Sequence, residues 1–127
     1  MQVYKTKWLS RFARHEGITD NSLLDAIGRA ERGLIDADLG GCLIKQRVAR
    51  QGQGRSGGYR TIIAFRAKGR AVFLYCFAKN ERDNIEPDEL LELRMVGLNW
   101  LNATLEEIAE AIEEGLLQEI DHDEEDA

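Results

Sequence analysis

The sequence predicts an α+β fold: a small antiparallel sheet with two N-terminal helices and further C-terminal helices packed on it. Apolar residues recur at helical spacing before residue 34 and after residue 86. Between residues 42 and 78 they alternate or run continuously, as they do in strands. Short links join these central segments, which favours an antiparallel meander. We therefore expect the order β-α-α-β-β-β-α-α.

The first elements are a short strand at Val3–Lys5 and a helix at Lys7–His15, where apolar residues repeat at helical spacing. A second helix follows. Thr19 or Asp20 is suited to be its N-cap, and Gly33 is suited to end it.

Three strands are predicted in the centre of the chain, at Cys42–Ala49, Tyr59–Arg66 and Ala71–Ala78. A glycine-rich loop over 52–58 separates the first two strands, and a turn at 68–69 separates the last two. The third strand is almost continuously apolar, which is typical of a central strand buried on both faces.

Helices return after the strands. Pro87 occupies the first position of one helix, and Thr104 begins a capping box that opens another. Leu116–Ile120 can add an edge strand. We expect one domain over 1–120, followed by an acidic, disordered tail over 121–127.

The net charge of −6 hides two unlike parts. Residues 1–82 carry 16 Lys and Arg against 7 Asp and Glu, whereas residues 83–127 carry 1 against 16. No apolar run approaches the length of a membrane span, and the first residues do not resemble a signal peptide. Cys42 and Cys76 stand alone, so we expect both to be buried in strands, with no disulfide, metal or cofactor. These features predict a cytoplasmic protein.

Positive charge is densest from Lys45 to Arg82, where Glu81 is the only acid. Strand alternation places Lys45 and Arg47 on one face, and Arg60 can join them from the next strand. Without a nearby acid in sequence, such a cluster favours binding of a polyanion. The alternative is an ordinary solvated sheet face. Further cations can converge on the same end: Arg50, Arg55, Lys79 and Arg82.

Two other chemistries are disfavoured. Residues 52–57 match the GxGxxG dinucleotide pattern, but a strand follows where that motif requires a helix. The basic part has no histidine after His15, so acid–base chemistry there must use Lys, Arg, Tyr or a carboxylate. Crowding by like charges disfavours the protonated form of a lysine and makes it a better base.

Three segments together resemble the RelE/ParE toxin family, and in particular its RelE/HigB-like branch of type II toxin–antitoxin systems. They are LIKQR at 43–47, SGGYR at 56–60 and FAKNER at 77–82. The likeness extends over about Val3 to Leu101. It implies a small α+β toxin that cuts mRNA in the ribosomal A site without a metal, using the RNA 2′-hydroxyl as nucleophile.

Matched to the family motifs, four residues become catalytic candidates: Lys45, Arg47, Arg60 and Lys79. The resemblance makes Lys45 a general base or its electrostatic substitute, and Arg60 the residue that stabilises the transition state. Four more are candidates for RNA or ribosome contact: Arg50, Arg55, Tyr59 and Arg82. Asn80 and Glu86 stand where some relatives have an arginine and a catalytic tyrosine. The proton donor is therefore open between Lys79, Glu81 and Tyr59.

The resemblance also implies partners, namely the ribosome with its mRNA and a cognate antitoxin, expected to be a helix-turn-helix DNA-binding protein. Two other functions remain open. One is a ParE-like inhibitor of gyrase that cuts nothing, which the basic strand cluster disfavours. The other is a catalytically inactive RNA-binding module, which Asn80 and Glu86 allow.

Overall fold

The computed structural model describes residues 1–49, 58–82 and 84–121 of the chain. The strands are β1 (Gln2–Thr6), β2 (Ala37–Gly40), β3 (Leu43–Val48), β4 (Tyr59–Arg66), β5 (Arg70–Ala78) and β6 (Leu117–Glu119). The helices are α1 (Lys7–Glu16), α2 (Asp20–Glu31), α3 (Pro87–Asn102) and α4 (Leu105–Glu113). Within these described ranges, no helix has both the length and the apolar character needed to cross a membrane.

The six strands form one sheet in the order β2-β3-β4-β5-β1-β6. Strands β2 to β5 are an antiparallel meander, which includes the three strands predicted from the sequence. Strand β1 lies beside β5 and runs parallel to it, and β6 pairs antiparallel with β1. A parallel pair needs a long connection, and here the whole segment between β1 and β5 provides it. The fold class is α+β with a mostly antiparallel sheet, as predicted.

Helices cover both faces of the sheet. One apolar cluster lies under α1 and α2 and includes Leu9, Leu23, Ile27, Ile44, Ile63 and Phe73. The other lies under α3 and α4 and includes Leu43, Ile62, Val72, Leu101 and Ile108. In β5, every residue except Tyr75 is buried, which confirms that its apolar run is a central strand.

The helix starts follow the expected capping chemistry. Thr19 caps α2, where its hydroxyl oxygen accepts the backbone N–H of Ser22 at 3.1 Å. Thr104 and Glu107 form the predicted capping box of α4, with hydrogen bonds of 3.1 and 2.8 Å. Pro87 is the first residue of α3, where its missing N–H is not needed.

Helix α3 crosses the sheet at Gly97. A Cβ atom at this position would lie 3.1 Å from Cβ of Ala64 and 3.3 Å from Cδ1 of Leu74. The glycine therefore lets the helix approach β4 and β5 closely. Further along β3 and β4 the helix covers the sheet less completely, and Arg47 is exposed there.

Strand β2 and its tight turn into β3 were not predicted from the sequence. Gly40 and Gly41 have positive φ angles of 81° and 59°, and Cys42 follows at 66°. Glycine adopts this left-handed backbone without steric cost. Arg94 of α3 donates hydrogen bonds to the carbonyl of Leu39 and packs on both glycines. Cys42 is therefore exposed in a turn, so the expectation that it is buried in a strand is wrong.

Candidate functional site

Two rows of side chains cross the sheet on the face that α3 covers in part. Strand pairing sets Arg47 of β3 opposite Arg60 of β4, and Arg60 opposite Phe77 of β5. Two residues further along, Lys45 stands opposite Ile62, which belongs to the core beneath α3. Since side chains alternate along a strand, the three cations share that face. We call Lys45, Arg47 and Arg60 the cationic face; the predicted juxtaposition is present in the structure.

Positive charge on this face is concentrated by the strand pairing. Residues directly opposite each other in an antiparallel pair have Cβ atoms about 5 Å apart. Burial and the neighbouring charge of Arg47 lower the pKa of Arg60 from its ordinary value. An arginine side chain nevertheless stays protonated in proteins, so two permanent charges repel each other here.

Arg47 has a carboxylate partner on its other side. Oδ1 of Asp36 lies 3.2 Å from Nη2 of Arg47, and Oδ2 accepts the backbone N–H of Arg47 at 2.7 Å. The buried Arg29 of α2 approaches the same carboxylate at 3.7 Å. No acid lies close to these cations in sequence, but the β2–β3 hairpin folds Asp36 back beside Arg47 and gives that cation a counter-ion.

Arg82 lies beyond Phe77, at the end of the same row. Its guanidinium carbon is 5.7 Å from the ring centroid of Phe77 and 6.0 Å from that of Tyr75. Nη2 lies 2.6 Å from Oε1 of Glu89 on α3. This hydrogen bond raises the pKa of Arg82 and lowers that of Glu89. The partner of Arg82 is thus Glu89 rather than the adjacent Glu81, and the pair joins the end of β5 to α3.

The remaining candidate site residues differ in exposure. Lys79 is exposed one residue past β5, and its backbone N–H donates to the carbonyl of Gly58 at 3.3 Å. Tyr59 is buried, with 1% of its surface exposed, and its hydroxyl donates to Oε1 of Glu16 at 2.7 Å. We therefore exclude Tyr59 from the proposed site. Arg50 and Arg55 lie outside the described residues.

The structure separates the three residues that the sequence left open as candidate proton donors. Tyr59 is buried, whereas Lys79 and Glu81 are both exposed at the exit of β5. Glu86 is exposed, and its backbone N–H donates to Oε1 of Glu89 at 3.0 Å. Lys79 and Glu81 remain the candidates.

The arrangement of the cationic face is suited to binding a polyanion. Guanidinium groups bind phosphate oxygens through paired N–H donors, and cations aligned across strands can contact successive phosphates. The fold and this face define a small α+β protein with a partly exposed cationic surface on its sheet.

The comparison with protein families agrees with this description. Residues 1–120 match the family described as the RelE toxin of the RelE/RelB toxin–antitoxin system. The chain therefore belongs to the RelE toxin family, as its motifs predicted, and the family implies an antitoxin partner. No curated protein matches the chain. Placement in the HigB-like branch stays a prediction.

The sequence analysis did not identify the two carboxylates that bind Arg47 and Arg82, namely Asp36 and Glu89. For Asp36, the Gly-Gly pair at 40–41 was an available hairpin signal, and a hairpin would have brought Asp36 beside Arg47. For Glu89 the chain offers no comparable signal, because the contact depends on where α3 docks.

Proposed function

We propose that this toxin is an endoribonuclease that cuts mRNA on the ribosome and thereby stops translation in the cytoplasm. The observation that supports it best is the opposition of Arg47 and Arg60 on adjacent strands, with Lys45 two residues away on the same face. Repulsion within this group is relieved when a phosphate supplies negative charge.

The proposed reaction is an internal phosphoryl transfer. The 2′-oxygen of one nucleotide attacks the adjacent phosphorus, the bond from phosphorus to the 5′-oxygen breaks, and a 2′,3′-cyclic phosphate forms. Lys45 takes the proton of the 2′-hydroxyl or stabilises the oxygen as it becomes negative. Arg60 stabilises the charge on the phosphorane-like transition state, and Arg47 holds the phosphate. The leaving 5′-oxygen takes a proton from Lys79 or Glu81. Water can then open the cyclic product to a 3′-phosphate.

Cleavage in a translating extract tests this proposal. Purified toxin should cut message within codons, and Arg60→Ala should lower the rate at least tenfold, which corresponds to about 1.4 kcal/mol of transition-state stabilisation. Arg11→Ala is the matched control, because Arg11 is exposed on α1 and its loss changes the net charge equally. Unchanged cleavage by Arg60→Ala would remove Arg60 from the mechanism.

Two further assays, ribosome binding and gyrase supercoiling, separate the other functions. Wild-type toxin that binds ribosomes but leaves the message intact would be an inactive RNA-binding module. Inhibition of gyrase supercoiling without RNA cleavage would support the ParE-like alternative.

We further propose that the antitoxin is a helix-turn-helix protein, one segment of which covers the cationic face or packs on the sheet. Expression of the toxin alone should stop growth, and co-expression of the neighbouring small open reading frame should restore it. Toxin that does not slow growth when expressed alone would argue against this assignment.

A further inference from the structure

The outer edge of β3 is closed by side chains where β2 no longer pairs with it. Strand β2 begins at Ala37, which is paired with Lys45. Beyond that point, the backbone N–H of Arg47 donates to Oδ2 of Asp36, and its carbonyl accepts from Nη2 of Arg29. Both backbone polar groups of Arg47 are therefore held by side chains rather than by a neighbouring strand.

Asp36 lies between two cations. Arg29, whose side chain is 8% exposed, is 3.7 Å from Oδ2, and Arg47 is 3.2 Å from Oδ1. Burial opposes ionisation of this carboxyl, but the hydrogen bonds from Arg47 and the two positive charges outweigh it and lower its pKa. Asp36 is accordingly a fixed negative charge at neutral pH.

The backbone that carries Asp36 is anchored in the core. Its N–H donates to Oε1 of Gln46 at 2.7 Å, and Gln46 is fully buried. The amide of Gln46 also donates to the carbonyls of Ala26 and Leu34 at 3.0 and 3.1 Å. Forming an ordinary surface ion pair costs side-chain entropy, which reduces its contribution to stability. Here the hydrogen bond to Gln46 already fixes the backbone of Asp36, so less entropy is lost when the pair with Arg47 forms.

We propose that Asp36 is a positioning residue for Arg47. Its carboxylate holds Nη2 of Arg47 against repulsion by Arg60 and leaves the other guanidinium N–H groups for an RNA phosphate. The inference rests on the proposed function, since it takes Arg47 to be an RNA ligand. Asp36 also offsets one positive charge of the cationic face in the free protein.

The test is Asp36→Asn, with Asp38→Asn as the matched control. Asp38 is exposed in β2. Within the described part of the chain, its carboxylate accepts one hydrogen bond, from the backbone N–H of Gly40 at 2.9 Å. On programmed ribosomes, Asp36→Asn should lower kcat about tenfold with KM unchanged or lower. Binding of a 12-nucleotide single-stranded RNA should show a salt dependence steeper by about 0.7 in log K against log salt, because one more cation is left to neutralise a phosphate.

The salt slope separates positioning from a merely structural role, because partial unfolding lowers the active fraction without steepening it. Asp36→Glu, which keeps the charge, should retain the wild-type slope and lose only part of kcat. In an Arg47→Gln background, Asp36→Asn should change kcat less than twofold.

Two results would overturn the inference while leaving the proposed function intact. One is a toxin that cuts RNA and whose Asp36→Asn variant has the wild-type kcat and slope. The other is a tenfold loss that is just as large in the Arg47→Gln background. Wild-type protein that neither binds nor cuts RNA would instead refute the proposed function itself.

Discussion

Gln46→Leu tests how the core supports the cationic face. Gln46 is fully buried in β3, yet its amide makes three hydrogen bonds, with the carbonyls of Ala26 and Leu34 and the N–H of Asp36. Leucine has a similar volume and can make none of them. The substitution therefore removes the polar contacts with little change in packing.

The expected cost can be worked from these contacts. Leaving a buried polar group unsatisfied costs about 1–3 kcal/mol. The bond to Ala26 is buried, whereas those to Leu34 and Asp36 are partly buried, so water can reach the latter groups when the segment opens. About 2 kcal/mol for the first and about 1 for each of the others gives roughly 4 kcal/mol. Burial of the leucine offsets about 1 kcal/mol, and about 3 kcal/mol remains.

Urea unfolding followed by tryptophan fluorescence measures this difference. With a slope of about 2 kcal/mol per molar, the midpoint should fall by about 1.5 M. Gln118→Leu is the control, because Gln118 is exposed and accepts one bond from the hydroxyl of Ser10 at 2.8 Å. It should lose less than about 1 kcal/mol. A Gln46→Leu protein within about 1 kcal/mol of wild type would refute the claim that these bonds hold the Asp36 segment.

Two further predictions concern packing and thiols. Gly97→Ala should destabilise by about 1 kcal/mol in urea unfolding, because overpacking against Ala64 at 3.1 Å exceeds the gain in helix propensity. In an Ala64→Gly background the same substitution should cost less, and a Gly97→Ala protein more stable than wild type would contradict the close approach. In native protein at pH 8, iodoacetamide should label Cys42 and spare Cys76, since Cys42 is exposed whereas burial raises the pKa of the Cys76 thiol. Mass spectrometry should find one modified thiol per native chain and two in urea, and equal labelling of both native thiols would refute it.

Local signals explain why most of the fold was predictable from the sequence. Thr19 and Thr104 each accept a hydrogen bond from a backbone N–H at a helix start, and Pro87 begins a helix where no N–H donor is needed. All three lie where the sequence predicted them. The apolar run of β5 is buried on both faces, and short turns set its order with β4. Each of these features depends on neighbours a few residues away. The parallel position of β1 depends on a contact across more than sixty residues, and no local pattern encodes it.

The cationic face shows where prediction from sequence ends. Strand alternation and pairing were enough to bring Lys45, Arg47 and Arg60 together. The carboxylate partners of these charges were not predicted. The Gly-Gly pair at 40–41 bears only on the contact between Arg47 and Asp36, whereas Arg29 reaches Asp36 from a helix. The burial of Tyr59 could not be predicted from the sequence either, because its hydroxyl donates a hydrogen bond to a carboxylate on α1 that is distant in sequence.

These ion pairs affect which cations should contribute most to the proposed RNA cleavage. Among the described residues, Arg47 and Arg82 each bind a carboxylate, Asp36 and Glu89 respectively, so part of their charge is already offset. Arg60 is half-buried opposite Arg47, and its Nη1 lies 3.5 Å from the carbonyl of the residue before it. A phosphate would relieve both its repulsion by Arg47 and the cost of its burial. Substitution of Arg60 should therefore weaken cleavage more than substitution of Arg82, whose guanidinium is already satisfied by α3.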